Sequence, residues 1–169
     1  VFRRSYAAPG CCKGFWRASR KVFAIDGTFL EGPLKGILLL AVTKDANNQL
    51  VPLAFSLVHS ENNDNWSWFL WELKKDFPGI KVVMMDAQKG LEQCKADLAF
   101  QDIRFSRCFR HMIENCRTAM KPRVVDEQAE QLMWMLAKAA TEDVYKHALE
   151  QLRRKLAPAA RWMDERKDQ

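Results

Sequence analysis

Two aspartates stand at the ends of apolar runs. Asp26 follows Val22, Phe23, Ala24 and Ile25, and Asp86 follows Val82, Val83, Met84 and Met85. Apolar runs of this length read as strands, and each aspartate leads out into polar, glycine-containing sequence. Two carboxylates brought side by side repel, and both stay ionised only with positive charge between them. An oxygen-loving Mg²⁺ or Mn²⁺ is the matching guest. Two such ions, about 4 Å apart, can activate an attacking water or hydroxyl and stabilise the leaving oxygen of a phosphodiester. Each aspartate also fits a plainer role, as a turn former before Gly27 or as a cap for a helix starting near Gln88. Periodicity does not separate these readings.

Other residues have chemistry to offer but less support. Cys108 and His111 stand three apart, with Asn115 a turn further on, and could form half of a zinc site. Zinc asks for four ligands, and no second Cys/His pair has a comparable spacing, so a structural or DNA-positioning role is preferred for Cys108 and His111. His59 and His147 have no partner motif and read as surface residues. Lys89 could meet a phosphate or simply be solvated. Glu142, Glu150, Asp164 and Glu165 read as solvated helix charges, and Glu61 has no assigned role. Trp66 and Phe69 fit the buried stripe of a helix, which leaves Trp68 and Trp71 open.

The elements that must position the aspartates follow from the pattern around them. Residues 21–30, 36–45 and 50–60 read as three strands joined by the turn signals EGPLKG and ANNQ, an antiparallel meander. Pro52 falls near the start of the third, where a missing donor is tolerable. Trp66, Phe69, Leu70, Leu73 and Phe77 then follow a helical period, behind the capping residues of ENNDN and ahead of Pro78 and Gly79. The run ending at Asp86 reads as a fourth, central strand covered on both faces. Residues 88–99 read as a helix and 102–106 as a fifth strand. Beyond Arg107 three apolar stripes predict helices, with breaks at Pro122 and Pro158. Residues 1–20 form a basic, aromatic lead-in, read either as a short helix packing its aromatics or as a DNA contact. This order is the beginning of a ribonuclease H-like α/β fold with a mixed sheet, in which strands one and four lie side by side and carry both aspartates to one edge. The divisions expected are the lead-in 1–20, an incomplete core over 21–119, and the start of a helical insertion over 120–169.

The chain has 169 residues, enough for a sizeable core. Its 27 Lys and Arg against 21 Asp and Glu give a formal charge of +6, which tilts the partner towards polyanions such as DNA. Five cysteines without a secretory signal point to a reduced, intracellular setting, and no apolar run is long enough to span a membrane. A start at Val1 and an end at Gln169 suggest a fragment of a longer protein.

The segments AIDGTFLEGPLKGILLLAVTKDANNQLVPLAFSLVHSENNDNWSWFLWELKK, MDAQKGL and CFRHMIENCR together resemble the transposase domain of Mutator-like elements. That family belongs to the ribonuclease H-like superfamily with an Asp, Asp, Glu site. The resemblance runs from about Phe15 to Trp162. It implies that Asp26 and Asp86 are the first two catalytic acids, ligands of a two-ion Mg²⁺ or Mn²⁺ site, and that Cys108 and His111 are a family feature. Where relatives have Ser-Asp-Arg, this chain has Met85-Asp86-Ala87, so the carboxylate stands without the hydroxyl and the positive side chain. The third acid of the family lies in a Thr-Asn and Glu-Ser segment absent here, and is expected beyond Gln169. The resemblance further implies metal-dependent cleavage and strand transfer at transposon ends, DNA as partner, a homo-oligomer on DNA, and a nuclear setting. A domesticated, non-catalytic DNA-binding regulator is the alternative. A structure-selective ribonuclease is disfavoured by the Cys-x-x-His segment and the long helical insertion.

Overall fold

The computed structural model describes residues 3–33, 35–86, 94 and 96–167. Two compact units emerge, Val1–Cys108 and Phe109–Gln169. The first holds a six-stranded sheet: β1 (Arg4–Ala7), β2 (Val22–Phe29), β3 (Ile37–Lys44), β4 (Leu50–Val58), β5 (Val82–Met85) and β6 (Arg104–Arg107). The strand order is β1-β4-β3-β2-β5-β6. The meander β2-β3-β4 is antiparallel, whereas β5 joins β2, and β6 joins β5, in parallel. This mixed sheet, an antiparallel meander extended in parallel from its first strand, is a ribonuclease H-like arrangement.

Helices α1 (Gly10–Arg17) and α2 (Asn63–Asp76) contribute to the core of this unit. The α2 helix starts where Asn62 caps it, its side-chain oxygen accepting from the Asn65 N–H at 2.9 Å, which satisfies one of the first-turn donors. It ends at Phe77, before Pro78 and before Gly79, whose φ of 74° favours glycine. The helical period puts Trp66, Phe69, Leu70 and Leu73, with Phe77 beyond the last turn, into the core beside Phe23, Ile25, Leu39 and Val83. Trp16 joins them from α1, packing on Phe23 and Phe77 at centroid distances of 5.9 and 5.6 Å. Its indole N–H donates to the Pro78 carbonyl at 2.8 Å.

Several sequence expectations change. Residues 1–20 supply a strand as well as a helix: β1 pairs antiparallel with β4, and the Ser56 hydroxyl donates to the Ser5 carbonyl at 2.7 Å. Four residues give too short an alternation to announce a strand, and only the free edge of β4 makes one of them. Pro52 lies within β4, at a register shift where Ala41 faces Ala54 but Val42 faces Pro52; the irregularity accommodates a residue without an N–H. The β5 strand is central but not covered on both faces. Val83 and Met85 are buried, whereas Met84 is 38% exposed. The same open face carries Phe55, and the half-buried Leu38, Leu40 and Val42. The helix expected over 88–99 falls largely on residues 88–93 and 95, outside those described. Of the described residues there, Cys94 and Ala96 are helical, and Leu98–Phe100 form a short 3-10 turn.

The second unit packs α3 (Phe109–Met120), α4 (Glu127–Ala137) and α5 (Glu142–Asp164). Its core draws on the three apolar stripes, with Met112, Ile113 and Cys116 meeting Leu132, Met133 and Leu136, and then Leu149 and Leu152. Asp126 caps α4, accepting from the Ala129 N–H at 2.9 Å, and is paired with Lys155 at 2.8 Å. Pro158 lies inside α5. Leu156, two residues earlier, leaves helical geometry at φ −148° and ψ 77°, the kink that a proline without an N–H imposes on the preceding turn. No helix among the described residues is long and apolar enough to cross a membrane.

One ionisable group ties the first unit's stability to pH. The Tyr6 hydroxyl donates to Asp76 at 3.1 Å. Burial, then the charge and hydrogen bond of Asp76, and then the charge of Glu72 push its ionisation well above the ordinary tyrosine range. A raised folded-state value stabilises fully below the ordinary value, and that contribution is lost as pH rises beyond it. Between about pH 9 and 11, chemical denaturation of the wild type should therefore lose more stability than that of Tyr6→Phe, which carries no such proton.

Candidate metal centre

The placement of the two aspartates follows from strand register. Parallel pairing sets Val22 against Val82, Phe23 against Val83 and Ala24 against Met84. The same offset brings Asp26 level with Asp86. Asp26 lies within β2, still paired with Leu40 of β3, and Asp86 is the residue immediately after β5. In β2 the buried residues are Phe23 and Ile25, so the two-residue period of a strand puts Asp26 on the face of Ala24. In β5 the buried residues are Val83 and Met85, and Asp86 continues the face of Met84. Ala24 and Met84 are themselves cross-strand partners. Neighbouring strands lie about 4.8 Å apart, so the two carboxylates issue from adjacent positions of one sheet edge. Asp26 is exposed and Asp86 half-buried.

Gly27 links this edge to the core. Its N–H donates to the Asp26 carboxylate at 2.9 Å. A side chain at Gly27 would meet Trp66 Cζ2 at 3.3 Å, and Glu61 Oε1 and Leu39 Cδ2 each at 3.4 Å. Trp66 is buried, and its indole N–H donates to Glu61 Oε1 at 3.2 Å. Thus the start of α2 presses against β2 directly behind the first aspartate. A groove of about 930 Å³ opens nearby, between Phe29, Leu30 and Lys35 of the β2–β3 hairpin and the segment from His59 to Glu61.

Cys108 is not on a helix, contrary to its expected place. It is the residue between β6 and α3, and its N–H donates to the Met85 carbonyl at 2.7 Å, which carries the parallel ladder one step further towards Asp86. His111 lies in the first turn of α3, and its Nδ1 is buried without a hydrogen-bond partner. Among the described residues no group of three or more His, Cys, Asp or Glu side chains is placed to hold one metal ion. His59 and His147 are exposed; His59 meets the Arg3 carbonyl at 3.3 Å and His147 meets Gln151 at 2.7 Å. Glu142 and Glu150 pair with lysine and arginine on their own helix. Trp68 is half-buried beneath the Arg4 guanidinium, 4.4 Å from its ring, and Trp71 is 43% exposed beside Phe100. Lys89 lies outside the described residues.

Comparison with known proteins adds the decisive finding: the profile of the MULE transposase domain matches residues 22–115. The chain belongs to that family. The match begins at the start of β2 and ends inside α3, so the MULE domain takes in both aspartates, Glu61, Cys108 and His111. No curated protein matches the chain in sequence. Among solved structures, the catalytic core domain of BIV integrase is similar at 14% identity and a TM-score of 0.42, covering 80% of this chain and 82% of that one. The HTLV-2 integrase catalytic core domain, in a dimeric form with magnesium, is similar at 8% identity and a TM-score of 0.41, covering 78% of this chain and 82% of that one.

Sequence reasoning singled out Asp26 and Asp86 and gave Glu61 no role. Its signal was faint, a single acid between a strand end and a helix cap. The contact with Gly27 exists only once α2 lies on β2. Substitution there is a direct measure of that contact. Gly27→Val should destabilise the first unit by about 1–3 kcal/mol through overpacking, read by urea denaturation, with Gly27→Ala less affected.

Proposed function

We propose that this MULE domain carries the first two carboxylates of a transposase site for metal-dependent phosphodiester cleavage at transposon ends, followed by strand transfer to target DNA. The observation that carries the reading is the β2–β5 register, which sets Asp26 level with Asp86 on one sheet edge. The donor set suits the cation: Mg²⁺ and Mn²⁺ keep several waters and are often bound through only one or two carboxylates. When bound, such ions lower the proton affinity of an attacking water or hydroxyl and neutralise charge on the leaving oxygen.

The chain's own residues do the positioning. Asp26 is held by the Gly27 N–H, and Asp86 leaves a strand anchored between β2 and β6. Two acids cannot alone fix both ions for an in-line displacement, so a further carboxylate has to come from outside the described residues. The formal +6 charge supplies a sequence-independent attraction for DNA phosphates. On this reading the protein works on nuclear DNA as an oligomer.

Mn²⁺ titration followed by water-proton relaxation tests the site. Binding should weaken at least tenfold in Asp26→Asn and in Asp86→Asn, while salt-sensitive binding to labelled duplex DNA stays within about twofold, because phosphate contacts use other groups. Unchanged Mn²⁺ affinity in both variants would remove the metal site and leave a non-catalytic DNA-binding domain. Incubated with Mn²⁺ and DNA bearing transposon ends, the chain by itself should not nick. Nicking that vanished in Asp86→Asn would mean that the third acid is already present.

A further inference from the structure

Glu61 belongs to neither the meander nor the pair of aspartates, yet its carboxylate is held close behind the first of them. The segment that carries it is fixed from both sides. Asn65, itself buried, donates through its side-chain amide to the Ser60 carbonyl at 2.7 Å. The Trp66 N–H donates to the Asn62 carbonyl at 3.1 Å, closing the first turn of α2. Within this frame the Trp66 indole holds Glu61 Oε1 at 3.2 Å. The same oxygen lies 3.4 Å from the point where a Gly27 side chain would begin, and the Gly27 N–H donates to Asp26. A half-buried carboxylate is therefore held against the peptide that orients the first aspartate.

We propose that Glu61 is a positioning residue for Asp26 and that its negative charge strengthens cation binding at the Asp26–Asp86 edge from outside the ligand sphere. The inference rests on the metal-site reading given above. It follows from two features of the geometry. First, the bond to the indole fixes how closely α2 approaches Gly27, and with it the backbone from which Asp26 projects. Second, Glu61 is half-buried behind β2, on the opposite side of the strand from Asp26, so its charge reaches the Asp26–Asp86 edge partly through the protein, at an effective dielectric below that of bulk water. It makes the edge more repulsive when empty of positive charge and more favourable for a divalent ion. Glu61 needs no direct bond to the ion for this, in keeping with the absence among the described residues of any three-ligand group.

A role confined to accepting the indole hydrogen bond makes a different prediction, because glutamine keeps that acceptor and loses only the charge. Mn²⁺ affinity by water-proton relaxation and the thermal unfolding midpoint are measured for the whole chain as wild type, Glu61→Gln, Glu61→Ala and Asp26→Asn. Glu61→Gln should lower Mn²⁺ affinity about three- to tenfold with a midpoint within about 2 °C of wild type. Glu61→Ala should lower both. Wild-type affinity in Glu61→Gln would overturn the proposal while leaving the metal site standing, provided that Asp26→Asn still loses binding. If Asp26→Asn binds Mn²⁺ as the wild type does, the metal-site reading itself fails and this inference goes with it.

Discussion

Parallel pairing of β2 with β5 is the constraint on which the rest of the first unit depends. Parallel neighbours cannot be joined by a tight turn; the chain has to travel the length of the sheet and return on the same heading. Here the return uses β3, β4 and α2, and every one of them is stabilised by what it buries. The apolar face of α2 supplies Trp66, Phe69, Leu70 and Leu73 to a core in which each side chain is worth about 1.5–3 kcal/mol of transfer from water. The pairing thus rests on an ordinary hydrophobic core, while its product is a polar one: two carboxylates on neighbouring strands that the chain separates by sixty residues.

The burial on one side of the sheet has a direct bearing on the other side. Trp66 packs so closely on β2 that a side chain opposite it would be crowded, and the glycine there is the residue whose N–H meets Asp26. Core packing and the orientation of the first acid are therefore one arrangement. A similar economy appears at β6. It pairs with β5 in parallel, and the ladder runs on through the Cys108 N–H to the Met85 carbonyl, so the backbone just before Asp86 is held on both sides. Edge pairing of β1 with β4 blunts a strand edge that would otherwise present unpaired backbone groups.

The helical unit obeys simpler rules. Its three stripes recur at helical spacing and meet in a core of their own, and Glu114, Glu130, Glu142 and Glu150 pair with nearby lysine or arginine. Asp126 both caps α4 and pairs with Lys155, which together hold its carboxyl below the usual range.

Much of this was legible in the sequence because its causes are local. Alternating and continuous apolar runs gave β2 to β6, the spacing from Trp66 to Phe77 gave α2, and its cap and stop lay in the Asn and Pro-Gly residues at either end. The two aspartates stood out since a strand end leaves an acid solvated. The sequence could also order the strands, as a helical return after a meander leaves few topologies. Tertiary structure decided what depends on partners distant in the chain. Whether Arg4–Ala7 becomes a strand is settled by the free edge of β4, and whether Met84 is covered by what packs on its face. Which residue of β5 faces which residue of β2 is a matter of register between strands sixty residues apart, which neither segment carries by itself. The approach of Glu61 to Gly27 belongs to that group as well: a side-chain carboxylate meets a strand backbone brought to it by packing, and no periodicity within either segment records it.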